Sequence, residues 1–158
     1  DKSLENFFYI ELIIKFFPDS KIVICKRNIF EIIISIYQNF LPKITWSHSL
    51  DNILEYIDNY LTITNNFKKK YSNKIHIIEL EELTREPLKL SKNLFSFCNL
   101  EWDKKCLEFY KRDDLVTKTA SNQQVRNKIF NNNPKKYEAY KQFLSTYSNK
   151  YEWLKEVM

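Results

Sequence analysis

Arg27 and Ser35 are the residues whose types and spacing suit the binding of an anion. Arg27 follows an apolar run, Ile22-Val23-Ile24-Cys25, and one further cation, Lys26. Asn28 comes next and Glu31 lies three residues beyond it, the spacing of a capping box at a helix start. A guanidinium offers a planar fork of donors that matches phosphate oxygens, and a serine hydroxyl adds one more donor. Ser35 stands seven residues after Asn28. Seven steps of about 100° return a helix to nearly the same direction. Both side chains can therefore serve the face that Asn28 begins, where unpaired backbone N–H groups favour anions. The other reading is a surface arginine and a serine packed on the carbonyls of its own helix. Spacing alone leaves both open.

These residues need a strand, a turn and a helix to hold them. The run at 22–25 suits a buried strand covered on both faces. Residues 29–40 continue as a helix with an apolar face. Open α/β sheets bind ligands outside the carboxyl ends of their strands, which is where Arg27 stands. Upstream, apolar residues at 7, 8, 10, 13, 14 and 17 predict a helix over 4–17, stopped at Pro18. Residues 41–49 are irregular, and Trp46 and His48 there suit packing or surface more than catalysis. A long helix is predicted over 51–71, with Thr64 bonding back to a carbonyl one turn earlier and Lys68-Lys69-Lys70 as a solvated end. Residues 74–80 read as a second strand, with His76 as a satisfied core residue. A helix between two apolar strands predicts a parallel pair joined by a crossover, the strands adjacent or one apart. Further helices are expected from Pro87 to about Cys98, over 103–111 and from Pro134. The polar stretch 112–133 between them is a second functional candidate, because long irregular segments in compact domains are usually functional or disordered.

Composition narrows the chemistry. A chain of 158 residues with 44% hydrophobic residues can bury a core. The net charge of +5 is a mild bias towards anionic partners, too small to argue for nucleic acid. Glycine is absent, where average usage predicts about eleven. That excludes a Walker A loop or a dinucleotide fingerprint within these residues, and with them a kinase built on such a loop. Cys25, Cys98 and Cys106 show no metal-ligand spacing and no disulfide framework, and are expected to be buried free thiols. No apolar run has membrane length, and the expected compartment is the cytoplasm. The chain opens at Asp1 directly before an amphipathic helix, as expected of a piece of something longer.

Five stretches then point to a family: DKSLENFFYIELI, FPDSKIVICKRNIFEIIISIY, LEELTREP, FCNLEWDKKCLEFY and TASNQQVRNKIF followed by KKY. In this order they resemble the carboxyl-terminal part of PAPS-dependent sulfotransferases. The resemblance is to the bacterial branch associated with tetratricopeptide repeats and related to tyrosylprotein sulfotransferases. It implies an α/β, P-loop-NTPase-like sulfotransferase fold, three-layered with a parallel sheet. Residues 1–158 would be the carboxyl-terminal part of one domain, lacking its amino-terminal strand and phosphosulfate loop. It implies transfer of a sulfuryl group from PAPS (3′-phosphoadenosine 5′-phosphosulfate) to an acceptor hydroxyl or amine, leaving PAP, with no metal and no nucleic acid as partner. The acceptor stays open between peptide, glycan and small molecule.

The same resemblance assigns roles. Arg27 and Ser35 match the pair that holds the cofactor's 3′-phosphate. Lys2 matches the lysine that stabilises the bridging oxygen during transfer. Ser121 and Arg126 come from the ASNQQVR stretch, and Lys136 with Tyr137 from the later basic-aromatic pair. In the family these lie over the phosphates and the active centre, Ser121 at the centre and Arg126 and Lys136 on the cofactor; Lys135 offers the same match as its neighbour. Leu80 stands where the family has a tyrosine, which removes an adenine-side contact. The family's general base and 5′-phosphosulfate cradle precede the matched region. An inactive PAP-binding remnant, or another anion- or nucleotide-binding module, is the alternative. A nucleic-acid module would need a one-sided basic stripe with interleaved aromatics, whereas the basic residues here are scattered.

Overall fold

The computed structural model describes residues 2–39, 41–112, 124–129 and 137–157. Strand β1 (Ile22–Lys26) lies parallel to β2 (Ile75–Glu79), with Ile22 opposite Ile75 and Lys26 opposite Glu79. The predicted pair is therefore adjacent. Its β-branched residues suit a pleated, half-buried surface. Two helices, α2 (Ile29–Gln38) and α3 (Leu50–Lys70), carry the chain from one strand to the other.

Strand alternation divides the sheet's residues between its faces. Ile22, Ile24, Ile75 and Ile77 pack with Phe7, with Ile10 and Ile14 of α1 (Ile10–Phe16), and with Tyr56, Tyr60, Ile63 and Phe67 of α3. On the other face, α5 (Pro87–Phe97) meets the β2 side, where the Phe97 ring stacks on half-buried His76 at 5.0 Å. Here the expected strand covered on both faces needs correction. Only Ile24 of β1 is buried, and Cys25 is exposed rather than a buried thiol. Cys98 and Cys106 are half-buried and free. The physical reason is the sheet's size: among the described residues β2 is the one neighbour of β1, and its second edge is unpaired.

A second core lies between α2 and α3. Phe30, Ile33 and Ile34 pack on Ile53, Leu54 and Ile57, and are closed by Tyr137, Leu144, Tyr151 and Leu154. These four come from the chain's end, where α6 (Lys141–Ser145) packs on α7 (Trp153–Val157) and α7 on α2. Each such side chain contributes roughly 1.5–3 kcal/mol when taken from water, so α2 is fixed firmly from its apolar side. Thr64 is buried within α3 and donates to the Tyr60 carbonyl at 2.7 Å, as expected.

Several boundaries differ from the sequence reading. The helix expected over 4–17 is a 3-10 turn, Asn6–Tyr9, followed by α1. The stretch expected as a helix over 103–111 is 3-10 in character, Lys104–Lys111, with a kink at Glu108. The second strand stops at Glu79, and an unanticipated helix α4 (Leu80–Arg85) follows it without a loop. The lysine run is less free than expected of a solvated end: Lys68 donates to the carbonyls of Ser72 and Ile75, and Lys70 pairs with Glu11 of α1. Two residues past the end of α5, Asn99 has φ 56°. The Asn99 N–H reaches the Ser96 carbonyl at 3.1 Å and the Leu100 N–H reaches Phe95 at 2.9 Å, the two bonds of a Schellman cap. In a chain without glycine, asparagine takes the left-handed position. Among the described residues no helix is long and apolar enough to cross a membrane.

Candidate functional site

Parallel pairing sends the carboxyl ends of β1 and β2 to the same side, with Lys26 beside Glu79. From there β1 turns through Arg27 and Asn28 into α2, and β2 runs directly into α4. Asn28 caps α2: its Oδ1 accepts from the Glu31 N–H at 3.1 Å. The return half of the expected capping box does not form. The Asn28 N–H donates instead to Glu81 Oε1 at 2.8 Å, from the first turn of α4. The Glu31 carboxylate is thereby left for Arg27.

Arg27 and Glu31 make the closest ion pair of the site. Arg27 Nη2 donates to Glu31 Oε2 at 2.6 Å and Nε donates to the same oxygen at 3.2 Å. Glu31 is 7% exposed, the one carboxylate buried among the described residues. The Arg27 side chain keeps 31% exposure. Nε and one hydrogen of Nη2 form the side edge of a guanidinium. The end edge, Nη1 and the second hydrogen of Nη2, meets no described acceptor, and three of the five donors remain for a ligand.

Two clefts meet at the Asn28–Glu81 bridge. One, of about 520 Å³, has Lys26, Arg27 and Glu79 at the strand ends and Ile29, Ile32 and Ile36 along its α2 wall. Its opposite wall holds Trp46 and Tyr56, stacked 3.8 Å apart at 9°. The packing role expected for Trp46 is therefore observed, and His48 lies against the Leu41 carbonyl at 3.1 Å. The Tyr56 hydroxyl is buried without a described partner; its burial, and then the Glu5 charge, raise its pKa above the ordinary tyrosine value. Burial raises that of Tyr60 as well, helped by Cys25 and Glu79. Both phenols are held protonated, as donors. The other cleft, of about 400 Å³, is mixed: Glu31, Thr84, Arg85, Glu138 and Lys141 line it together with Phe30, Leu80 and Val157. At the strand ends two cations, Lys26 and Arg27, stand among three carboxylates, Glu31, Glu79 and Glu81. Such a site favours an anion that fits the open edge of Arg27 over anions in general.

The other sequence-predicted residues are dispersed. Ser35 is two turns along α2, half-buried, and its Oγ accepts from Asn39 Nδ2 at 3.4 Å. It lines neither cleft. Lys2 is exposed and lines a third groove, of about 740 Å³, that runs along Ile22–Cys25 of β1. That groove shares Leu4, Phe7, Cys25 and Tyr60 with the Arg27 cleft, so Lys2 stands across one wall from Arg27. Arg126 is exposed and donates through Nη1 to the Arg112 carbonyl, and it lines none of these three spaces. Ser121, Lys135 and Lys136 lie outside the described residues. Tyr137 is 5% exposed and belongs to the core beside α2. Leu80 lines the cleft of about 400 Å³ as the first residue of α4.

The sequence reading missed the carboxylates. The four-residue step from Arg27 to Glu31 is itself an ion-pair signal on a helix, but it competed with the capping-box reading of the same glutamate. Glu81 carries no such local signal, because it meets Asn28 across 53 residues.

Comparison with known proteins relates the chain to a family and to a longer relative. The model of the sulfotransferase family matches residues 1–104, which include Lys2, Arg27 and Ser35 and leave out Ser121, Arg126 and Lys136. An uncharacterized protein of Aquifex aeolicus (strain VF5) is 33% identical over 149 residues, which covers 92% of this chain and 19% of that relative. The chain thus spans about a fifth of the length of the curated relative that it matches.

Proposed function

Because the chain belongs to the sulfotransferase family, we propose that it is the part of a PAPS-dependent sulfotransferase that grips the donor's 3′-phosphate. The observation that carries this reading is Arg27: a guanidinium at the carboxyl end of a parallel strand, at the start of a capped helix, lining a cleft and with its end edge unengaged by any described residue. That edge matches two oxygens of a phosphate. Ser35 would add a neutral donor farther along the same helix, and its long contact with Asn39 leaves the hydroxyl hydrogen free to donate.

PAPS supplies a sulfuryl group when bound: its bridging S–O bond breaks, a new S–O or S–N bond forms to the acceptor, and PAP departs as the acceptor loses a proton. In such transfers charge spreads over the equatorial oxygens and gathers on the leaving oxygen. The work of the protein is positioning and cationic stabilisation. Lys2 is assigned to the leaving oxygen, Arg126 and Lys136 to the phosphates, and Ser121 to the active centre. The acceptor is a hydroxyl or amine on a peptide, glycan or small molecule, and the working compartment is the cytoplasm. The full fold in this reading is P-loop-NTPase-like and three-layered, with a preceding strand and phosphosulfate loop beside β1. The unpaired edge of β1 and the groove along it support that placement.

Calorimetry tests the phosphate assignment. Charged hydrogen bonds contribute roughly 1.5–3 kcal/mol each. In the chain as its gene encodes it, Arg27→Ala should therefore weaken PAP binding about tenfold to a hundredfold. Adenosine 5′-phosphosulfate lacks the 3′-phosphate and should lose little. Equal loss for both ligands would make Arg27 structural and overturn the assignment. The 158 residues alone should bind PAP weakly and transfer almost no label from radioactive PAPS; robust transfer would overturn the need for a preceding loop.

A further inference from the structure

Glu31 is buried and paired with Arg27, which lines the larger of the two clefts that meet at the strand ends, and no role in sulfuryl transfer has yet been given to it. We infer that Glu31 is a positioning residue: it locks the guanidinium of Arg27 side-on, so that the end edge is presented to the 3′-phosphate. The inference rests on the donor-binding reading above and adds a residue to it.

Three observations carry it. The first is geometric. Both bonds, 2.6 Å from Nη2 and 3.2 Å from Nε, fall on a single carboxylate oxygen, and so occupy the side edge alone. A ligand can take the end edge without displacing Glu31. The second is burial. Glu31 is 7% exposed, and its own backbone is pinned by the Asn28 cap at 3.1 Å. Its helix is held by Phe30, Ile33 and Ile34 in the core. The carboxylate is therefore a fixed point and not a mobile surface partner. The third is the fate of the alternative. A free glutamate at this position would return to the Asn28 N–H. Glu81 already occupies that donor at 2.8 Å, which leaves Glu31 committed to Arg27.

Two effects oppose each other when phosphate arrives. The Glu31 charge repels it, and the same charge has already removed the rotamer freedom of a long arginine side chain. If repulsion dominates, removing the charge tightens binding. If preorganisation dominates, removing it weakens binding. Preorganisation should win here, because the ligand meets the neighbouring edge of the guanidinium, where each anion lies closer to the cation than to the other anion.

The test uses the chain as its gene encodes it, with PAP and adenosine 5′-monophosphate as the two probes in calorimetry. Glu31→Gln keeps the shape and removes the charge; Glu31→Ala removes the contact; thermal melting followed by circular dichroism confirms that each folds. Both variants should weaken PAP, the alanine by about tenfold and the glutamine by less, and leave the monophosphate unchanged. In the Arg27→Ala background Glu31→Gln should have no further effect, because there is nothing left to position. With saturating PAPS the kcat of Glu31→Gln should stay near wild type while KM for PAPS rises. PAP affinity that is unchanged or tighter in Glu31→Gln overturns the inference, as does equal weakening of both probes. If Arg27→Ala itself fails to discriminate PAP from the monophosphate, the 3′-phosphate reading falls and takes this inference with it. If Arg27→Ala discriminates and the Glu31 variants do not, the inference alone falls.

Discussion

At the residue scale, two of the five donors of Arg27 go to Glu31, and the proposed ligand would take the others. Lysine cannot do this, because its ammonium is a point charge without two separate edges. Arg27→Lys should therefore keep the pair with Glu31 yet recover only a small part of the PAP affinity lost in Arg27→Ala, as calorimetry on the three proteins would show. Ser35 offers one neutral donor, so Ser35→Ala should cost about 1 kcal/mol, roughly a fivefold loss. A loss as large as that of Arg27→Ala would make the hydroxyl more than an auxiliary donor. Lys2 lies across a wall from Arg27, in the groove along β1. If it serves the leaving oxygen, Lys2→Ala should lower turnover far more than donor affinity, since its interaction grows in the transition state.

At the scale of elements, the amino end of α2 is the joint on which the site depends. Asn28 holds it from within through Oδ1 and ties it to α4 through its N–H. Asn28→Ala should cost about 1 kcal/mol of stability by denaturant titration, while the tie to Glu81, which uses the backbone, survives. The aromatic wall on α3 carries a pH signature. The pKa values of Tyr56 and Tyr60 are raised by burial, so the unfolded chain ionises first. Stability is intact below the ordinary tyrosine value of about 10 and falls as the pH climbs above it. Ultraviolet titration should show Tyr56 and Tyr60 among the late-ionising phenols, beside Tyr147, which burial and Asp51 also raise; one is lost in Tyr56→Phe and one in Tyr60→Phe. At the end of α5, Asn99→Ala should cost roughly 1–2 kcal/mol, because alanine lacks the tolerance of asparagine for the left-handed region.

For the whole molecule, the exposed flank of β1 is the feature that organises expectation. Cys25 stands on it as an exposed thiol, while Cys98 and Cys106 are half-buried. In the 158-residue chain Cys25 should react first with an aromatic disulfide reagent, as peptide mapping would show. In a longer chain that carries the proposed strand beside β1 and loop over its end, that reaction should be at least about tenfold slower, since reactivity follows access. Equal rates would mean that no strand covers this edge. The ends of the chain also matter at this scale. The segments with α6 and α7 close the core over α2 through Leu144, Tyr151 and Leu154, far in sequence from the residues they support.

Local pattern by itself determined the strand–helix–helix–strand order, the parallel pairing, the Asn28 cap and the place of Arg27 at a strand end. Each follows from periodicity and short-range geometry, which a chain carries wherever it folds. The back-bond of Thr64 was legible for the same reason. Tertiary structure alone decided which partner each cap and carboxylate took. Glu81 reaches Asn28 across 53 residues and so redirects Glu31 from the helix end to Arg27. It also decided that Cys25, in an apolar run that reads as core, is exposed, because burial belongs to the neighbours of a strand and not to its residues. Helix α4 was missed because its six residues are too few to show a period; it forms where β2 delivers it, and there it supplies the carboxylate that orders the site.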